Sequence, residues 1–394
     1  MTSDSQKLYK YVATFSVDGL HSSDIGKYTA QRPNSAIAQL LETGHQYTDA
    51  YTSGPSDSFP GTMNLYTGGS PRTTGIWYDD TYDRTYYLPY STTGTSCSGP
   101  SGAEVAYDES KDYNSTELFS GGLDPQNLPQ TIINGKCVNV YPHQRLRVNT
   151  VFEVVHAAGL QTAYTDKHPS YDVVRGPSGR GLSVGYFPEI AAIPVTVNDT
   201  IAYDELHVKA FLEWINDKTP AHSEIQDGLK VTPSVFGGNF QAVSVAQKTK
   251  GYVPGSLDFT PDLLQALDFV DASFANPEII APAAGVNLSF VTTDDIALIF
   301  LENHADVNTA VDNLNGKRDE LHIQDIISHE RLTYLGYGDP LRDPAVPDII
   351  IRPELGVIYT GSTAKIAEHG GLSDDDRKIA CFINNPGQED YLQP

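Results

Sequence analysis

The 394-residue sequence predicts an α/β fold in which helices cover both faces of a mostly parallel sheet. Short runs rich in β-branched and aromatic residues alternate with segments whose apolar residues recur at helical spacing, an order typical of parallel strands joined by helices. The stretch 78–142 breaks this order because it is rich in Tyr, Gly, Ser, Asp and Pro. Long irregular segments in compact domains are usually lids or binding loops. We therefore expect a single domain, 1–394, with a loop-rich cap insertion at 78–142.

The individual elements follow in chain order. The first strand is predicted at 11–17, where β-branched and aromatic residues run up to Asp18 and Gly19. Apolar spacing and capping residues, such as Thr260 before the last helix, predict helices at 34–42, 62–67, 150–158, 203–216 and 261–272. Later apolar runs predict strands near 296–301, 348–351 and 378–383, which we expect to complete the same sheet.

The chain is strongly acidic, with 26 Lys and Arg residues against 50 Asp and Glu residues and a net charge of −24. Such a surface repels a phosphate polymer, which argues against a nucleic-acid-binding protein. An anionic nucleotide would depend on the local charge of a metal ion at its binding site.

Several features concern the compartment in which the protein works. No apolar run approaches the length of a membrane span, and the first six residues do not resemble a signal peptide. Cys97 and Cys137 flank a Gly-, Ser- and Asp-rich region and are predicted to pair, whereas Cys381 is predicted to be a buried strand residue. Sequons that permit N-glycosylation begin at Asn114, Asn198 and Asn287. The predicted disulfide and the sequons fit a secreted, periplasmic or extracellular protein.

Ser58 lies in the segment 55–61 (PSDSFPG), directly before the helix predicted at 62–67, which should close at Gly68. Pro60 suits a first helical turn, and glycine suits a left-handed stop. A hydroxyl at a helix N-terminus meets backbone N–H groups and the positive end of the helix dipole, which favour a bound phosphate and a nucleophilic alkoxide. The alternative is an N-capping serine without chemistry.

Two further residues are candidates for the same site. Asp18 follows the first predicted strand, and the carboxyl ends of such strands face the crevice in which open α/β sheets bind ligands. A turn-forming Asp-Gly pair is the alternative. His369 lies in the segment 367–371 (AEHGG), where a neutral imidazole beside two glycines can approach a cation closely. A surface His-Gly loop is the alternative.

Together, these elements resemble the type I phosphodiesterase and nucleotide pyrophosphatase branch of the alkaline phosphatase superfamily. The resemblance extends over nearly the whole chain. It is carried by the segments 15–19 (FSVDG), 55–61 (PSDSFPG), 67–69 (TGG), 75–80 (GIWYDD), 149–153 (NTVFE), 165–169 (TDKHP), 239–244 (NFQAVS), 347–350 (PDII) and 367–371 (AEHGG). It implies an alkaline-phosphatase-like sheet.

The resemblance also implies a phosphoryl transfer assisted by two divalent metal ions, with zinc as the expected metal. Such ions lower the pKa of a serine hydroxyl and of a water molecule and neutralise charge on the transition state. By motif position, Ser58 would be both nucleophile and metal ligand, and Asp18 and His369 would be metal ligands. The substrate would be a phosphodiester, a nucleotide pyrophosphate or a related small phosphate ester.

The sequence departs from the family at several of these positions. The segment 273–285 contains no histidine, although relatives carry a His-Gly motif in this interval. Asn239 and Val243 stand where animal relatives have an Asp and, four residues later, a His; an amide is a weaker ligand than a carboxylate, and valine is none. Gly61 stands where those relatives place an asparagine that contacts phosphate.

Other residues are candidates to bind substrate or to replace the lost ligands. They are Asn239, Asp166, His168, Asp79 and Asp80. Asp166 and His168 are two residues apart, so in an extended segment both side chains share one face. The alternative is that their segment shapes the substrate cleft. Two functions stay open: a metal-dependent hydrolase that uses Ser58, and a catalytically impaired member of the family that binds a ligand or a protein partner.

Overall fold

The computed structural model describes residues 9–249, 273–275, 280–360 and 367–385, so the helix predicted at 261–272 lies outside the described residues. In these ranges the strands are β1 (Val12–Val17), β2 (Gly44–Tyr47), β3 (Asp80–Asp83), β4 (Ala103–Ala106), β5 (Gln130–Ile133), β6 (Lys136–Asn139), β7 (Thr162–Thr165), β8 (Val184–Tyr186), β9 (Glu224–Ile225), β10 (Val235–Phe240), β11 (Ser273–Ala275), β12 (Leu288–Thr293), β13 (Ala297–Leu301), β14 (Ile323–Ser328), β15 (Ile349–Pro353), β16 (Val357–Tyr359) and β17 (Cys381–Asn384).

The helices in the same ranges are α1 (Ser22–Gln31), α2 (Ala36–Thr43), α3 (Ser58–Thr67), α4 (Pro71–Thr74), α5 (Tyr90–Thr93), α6 (Pro142–Arg145), α7 (Val151–Ala157), α8 (Val197–Ile215), α9 (Ala242–Lys248), α10 (Ile280–Ala284), α11 (Val307–Gly316), α12 (Glu330–Tyr334) and α13 (Asp374–Arg377). Helix α8 starts six residues before its predicted position because Thr196 caps it, accepting a hydrogen bond from the Asp199 N–H at 3.1 Å. Across these ranges, no helix combines the length and apolarity needed to cross a bilayer.

The central sheet has the strand order β1-β10-β7-β8-β9. The pairs β1/β10, β10/β7 and β7/β8 are parallel, and only the edge strand β9 is antiparallel. The predicted fold class is therefore confirmed. Because β1, β10 and β7 are neighbours and parallel, their carboxyl ends lie side by side at one edge of the sheet.

Helices pack on both faces of this sheet, as the alternation of side chains along the strands requires. Tyr164 of β7 belongs to the apolar cluster that also contains Phe59 of α3 and Phe152 of α7. Its neighbour Ala163 points to the other face and joins a cluster with Trp214 of α8. Gly238 of β10 permits this close packing, since a Cβ there would lie 2.5 Å from Thr165 Cγ2.

The later strands form a separate sheet, which corrects the sequence prediction that they complete the central one. Strands β12, β13, β15 and β14 make an antiparallel sheet in that order. Every residue of β13 is buried, because one apolar cluster covers one face of the strand and a second cluster covers the other. A continuous apolar run predicts burial on two faces but does not reveal which sheet the strand joins.

The third predicted strand, near 378–383, is also placed differently. It is β17, which pairs antiparallel with β2 in a two-stranded sheet. Cys381 is only partly buried there, contrary to prediction, since a two-stranded sheet leaves one face near solvent.

The segment 78–142 contains two antiparallel strand pairs, β3/β4 and β5/β6, together with short helices. Cys97 and Cys137 are joined by a disulfide, as predicted. Trp77, Tyr78 and Tyr107, in and beside this segment, are buried aromatic side chains. That the segment acts as a cap over a substrate cleft stays a prediction.

Removing the disulfide should destabilise the protein mainly through the unfolded state. Its cysteines are 40 residues apart, and the chain-entropy model gives about 4 kcal/mol for a loop of this size. We expect the double variant Cys97→Ser/Cys137→Ser to lose about this much unfolding free energy in urea denaturation. A Cys381→Ser variant is the matched control, and equal stability of the double variant and the wild type would contradict the expectation.

Candidate active site

The carboxyl ends of the three adjacent strands carry the polar residues of the candidate site. Asp18 directly follows β1, Asn239 lies near the end of β10, and Asp166 and Lys167 follow β7. The register pairs Asn239 with Ser16 of β1, so Asp18 and Asn239 belong to neighbouring positions on one edge. This is the edge at which open α/β sheets bind ligands.

Ser58 is presented to the same edge by the start of α3. It is the first residue of the helix and not its N-cap, so the interpretation as a capping serine is wrong. The cap is Asp57, whose Oδ2 accepts a hydrogen bond from the Phe59 N–H at 3.0 Å. The helix ends at Gly68, which has the left-handed φ of 70° expected of a C-terminal glycine.

The Ser58 hydroxyl lies between an acid and an ammonium group. Ser58 Oγ is 3.2 Å from both carboxylate oxygens of Asp18 and 3.1 Å from Lys167 Nζ. Lys167 Nζ also donates to Asp18 Oδ2 at 2.7 Å. Because the side chains of Asp18 and Lys167 are only 8% and 16% exposed, their charges interact across a poorly hydrated space. Ser58 itself is only partly buried, so a ligand can reach its hydroxyl.

His369 reaches the site from a distant part of the chain. The backbone carbonyls of Gly370 and Gly371 accept hydrogen bonds from the Asp57 and Ser56 N–H groups, which fixes this segment beside the start of α3. His369 Nε2 is 3.6 Å from Asp18 Oδ1 and 2.9 Å from Ser244 Oγ. Asp18, Ser58 and His369 therefore lie together, although they are far apart in the sequence.

Gly19 makes this approach possible. Its φ of 74° is left-handed, and a Cβ at this position would be 3.2 Å from His369 Cδ2 and 2.3 Å from the Gln247 side-chain oxygen. A larger residue would push the imidazole away from Asp18.

The pKa values of these groups follow from burial and from the neighbouring charges. Burial alone would raise the pKa of Asp18, but Lys167 and His369 outweigh it and hold this pKa well below its usual range. Burial lowers the pKa of His369 to about 4, with Lys248 adding to the effect, so the imidazole is neutral near pH 7. Burial would lower the pKa of Lys167, but Asp18 raises it above the ordinary value. The ammonium therefore stays charged.

A second group of acids surrounds the start of α3. Burial, reinforced by the charge of Asp79, raises the pKa of Asp57 well above its usual range. Burial likewise raises the pKa of Asp79. Asp79 thus lies close enough to the capping carboxyl group of Asp57 for the two charges to interact. Since Asp57 already occupies the Phe59 N–H and Pro60 has none, the helix terminus offers few free donors to a phosphate.

Asn239 and Asp166 contact each other. Asn239 Nδ2 donates to Asp166 Oδ1 at 3.3 Å, while Asn239 Oδ1 is buried without a hydrogen-bond partner. Asp166 also accepts hydrogen bonds from the Tyr164 hydroxyl at 2.6 Å and from the Lys167 N–H at 2.8 Å. Burial raises the pKa of Asp166 to about 6. Its carboxylate is thus occupied in fixing the turn that carries Lys167.

His168 and Asp80 have their contacts elsewhere. His168 Nδ1 lies 2.9 Å from the carboxylate of Glu189, and burial lowers the pKa of His168 to about 4. Burial and the nearby Glu104 raise the pKa of Asp80 to about 8. Neither side chain contacts Ser58 or Asp18.

The surroundings of His168 give a pH prediction. Burial raises the pKa of the adjacent carboxyl groups of Asp112 and Glu189 to about 8 and about 7. At these two carboxyl groups the folded state holds more protons than the unfolded state between about pH 4 and pH 8, so their contribution to stability falls as pH rises through this window. We expect Asp112→Asn to be more stable than the wild type at pH 8.5, by on the order of 2 kcal/mol, and similar at pH 4. Urea denaturation at both values tests this, and equal slopes of stability against pH would refute it.

The donor set does not fit a two-metal centre. Within the ranges that the structure describes, no group of three or more His, Cys, Asp or Glu side chains is arranged to hold a metal ion. Asp18 is bonded to the Lys167 ammonium, His369 is bonded to Ser244, and Asn239 and Val243 stand at the positions where an acid and an imidazole are missing. The zinc ions implied by the sequence resemblance thus stay a prediction.

Three residues of the site had not been predicted from the sequence: Lys167, Ser244 and Asp57. Lys167 had a recognisable signal, because it follows a strand at its carboxyl end, as Asp18 does. Asp57 had a weaker one, since Asp is as good an N-cap as Ser. Ser244 had none, because its hydrogen bond to His369 joins residues 125 positions apart.

Comparisons with known proteins agree with this architecture. The sequence model of the family described as Type I phosphodiesterase / nucleotide pyrophosphatase matches residues 12–276. No curated protein sequence matches the chain significantly.

Solved structures with the same fold include phosphonoacetate hydrolase from Sinorhizobium meliloti 1021 in complex with phosphonoacetate, at 13% identity and a TM-score of 0.55, covering 95% of this chain and 89% of that one. Murine ectonucleotide pyrophosphatase/phosphodiesterase 5 aligns at 12% identity and a TM-score of 0.54, covering 94% of this chain and 86% of that one. An inactive variant of the murine protein in complex with AMP aligns at 11% identity and a TM-score of 0.55, covering 96% and 88%.

At these identities the structural likeness shows the fold, whereas the family follows from the sequence match over 12–276, which spans most of the chain. With its mainly parallel central sheet and helices on both faces, this chain belongs to the type I phosphodiesterase/nucleotide pyrophosphatase family.

Proposed function

We propose that this protein hydrolyses small phosphate esters, with the Ser58 hydroxyl as nucleophile. The observation that supports this is the position of Ser58 Oγ, 3.2 Å from the Asp18 carboxylate and 3.1 Å from the Lys167 ammonium. A serine is a weak nucleophile unless a base can take its proton and a positive charge stabilises its oxygen. The Asp18 carboxylate accepts the hydrogen bond of the Ser58 hydroxyl and so orients it, and the Lys167 ammonium lies within hydrogen-bond distance of the Ser58 oxygen.

The reaction would proceed in two displacements. In the first, Ser58 Oγ forms a bond to phosphorus, its proton passes by way of the Asp18 carboxylate to the leaving oxygen, and the bond from phosphorus to that oxygen breaks. In the second, a water molecule attacks phosphorus, the bond from phosphorus to Ser58 Oγ breaks, and one proton of the water passes by way of Asp18 to Ser58 Oγ. Lys167 faces the reacting oxygen of Ser58 in both displacements and opposes the negative charge on the phosphoryl group.

The substrate class is inferred from the family and from the surroundings of the serine. Two of the structures with the same fold hold phosphonoacetate and AMP, which are small and carry a phosphonate or a phosphate group. Tyr107 of the segment 78–142 stacks on Phe59, the residue after Ser58, with ring centroids 4.5 Å apart, which supports a position of this segment near the site. We infer that this insertion caps the substrate and contacts the group attached to the phosphate.

The observations on the metal ligands favour a second candidate function. The site lacks the acid and imidazole expected at Asn239 and Val243, and among the described residues no metal-binding cluster replaces them. The alternative is a protein that binds a phosphate ester at this site without hydrolysing it. The disulfide between Cys97 and Cys137, with the exposed Asn114, Asn198 and Asn287, supports a secreted or periplasmic location for either function.

A substrate panel separates the two functions. Wild-type protein is assayed on a chromogenic phosphodiester, a phosphomonoester, a nucleotide pyrophosphate and a phosphonate ester, each with and without added zinc. Binding of AMP is measured by calorimetry in parallel. Turnover of at least one ester supports the hydrolase. Binding of AMP without turnover of any ester, with or without zinc, supports the binding protein and would overturn the proposed hydrolysis.

A further inference from the structure

We propose that the Lys167 ammonium takes the place of a metal ion at the nucleophile, so that Ser58 is activated by a cation built into the protein. The inference rests on the proposed function, because it concerns how that same serine is activated. It differs from the two-metal chemistry that the family resemblance implies.

The first argument is geometric. Lys167 Nζ donates to Asp18 Oδ2 at 2.7 Å and is 3.1 Å from Ser58 Oγ. A metal ion held by Asp18 and Ser58 would supply a positive charge to the same two side chains. Lys167 therefore occupies a position from which a positive charge acts on both. Its backbone is fixed by the hydrogen bond of the Lys167 N–H to Asp166, so the side chain starts from a defined point at the sheet edge.

The second argument concerns charge balance. Two largely buried acids are each paired with a lysine: Asp18, which contacts Ser58, with Lys167, and Glu368, which precedes His369 in the sequence, with Lys248. The Glu368 side chain is only 3% exposed and that of Lys248 21%, so this second pair is also shielded from water. Carboxylates that are already neutralised by ammonium groups have little excess charge to offer a divalent cation.

The third argument concerns the remaining ligands. A metal bound by Asp18, Ser58 and His369 would need the Nε2 lone pair of His369, and this atom contacts Ser244 Oγ at 2.9 Å. Such an ion would also lie close to Lys167, whose ammonium repels it. Removing the amine should therefore open a site with three protein ligands, which is the number that zinc uses when it keeps a water in the fourth position.

The test compares wild type, Lys167→Ala and Lys218→Ala, in which Lys218 is an exposed lysine and serves as the matched control. After chelator treatment, zinc binding is measured by calorimetry and cobalt binding by visible absorption. We expect Lys167→Ala to bind zinc at least about tenfold more tightly than the other two proteins and to give a tetrahedral cobalt spectrum. Adding His369→Ala to Lys167→Ala should abolish the gain.

Hydrolysis by the wild-type protein is also measured before and after treatment with a chelator. This measurement does not depend on whether a variant folds. We expect chelation to change the wild-type rate by less than about twofold. We expect Ser58→Ala to show no hydrolysis. Hydrolysis that depends on Ser58 but is abolished by chelation and restored by zinc would overturn the role of Lys167 and leave the proposed function standing. Absence of hydrolysis in every condition would overturn the proposed function, and with it the catalytic role of Lys167. Equal zinc affinity of a folded Lys167→Ala and the wild type would also overturn the inference.

Discussion

Replacing Ser58 with alanine is expected to lower kcat/KM for phosphodiester hydrolysis by at least about 10³-fold, the loss typical of removing a nucleophile. The variant keeps the fold, because Ser58 is not the cap of α3 and Asp57 continues to accept the Phe59 N–H. Asp18 and Lys167 stay bonded to each other without the hydroxyl. Initial rates with a chromogenic phosphodiester measure the effect.

A matched control removes a serine from another helix. Ser23 is exposed on α1, so Ser23→Ala should retain the wild-type rate within about twofold. Circular dichroism on all three proteins establishes that the fold is intact. A folded Ser58→Ala variant with more than about a tenth of the wild-type kcat/KM would rule out Ser58 as the nucleophile.

Replacing Lys167 with methionine is expected to affect both stability and activity. It leaves Asp18, whose side chain is only 8% exposed, as a buried charge without its cation, and breaking such pairs costs about 3 kcal/mol. It also removes the positive charge beside Ser58 Oγ, for which we expect kcat to fall at least about 10²-fold. Chemical denaturation and steady-state kinetics measure the two effects.

The stability difference should depend on pH with a defined sign. In the wild type, Lys167 holds the pKa of Asp18 below its unfolded value, so the stabilisation is complete above about pH 4 and is lost as pH falls towards the folded pKa. The gap between wild type and Lys167→Met should therefore be widest near pH 7 and narrow at pH 3. Lys167→Arg, which keeps the charge, should recover part of both losses. Unchanged stability and kcat in Lys167→Met would show that this ammonium matters to neither.

The order and type of the main elements followed from the sequence because local patterns determine them. The run at 11–17 marked β1, and Gly68 marked the end of α3. The division into two sheets did not follow, because β13 is buried on both faces whichever sheet it joins. Strand pairing depends on contacts between distant segments, and an apolar run carries no information about its partner.

The candidate site was predictable in part for a similar reason. Asp18, Ser58 and His369 each lie in a short motif with a chemical meaning, and the family resemblance supplied their order. The partners of these residues are contacts across the fold: Lys167 meets Asp18 over 149 positions, and Ser244 meets His369 over 125. Spacing in the sequence does not encode such pairs.

One measurement bears directly on Ser58 as the nucleophile: identification of the residue that carries a covalent phosphoryl or nucleotidyl group during turnover. Wild-type protein is mixed with an ester from the panel that it hydrolyses, and the reaction is quenched rapidly in acid. The protein is then digested and analysed by tandem mass spectrometry. We expect the adduct on Ser58, and none in Ser58→Ala. An adduct on another residue, or none at all while wild-type turnover is under way, would contradict the mechanism.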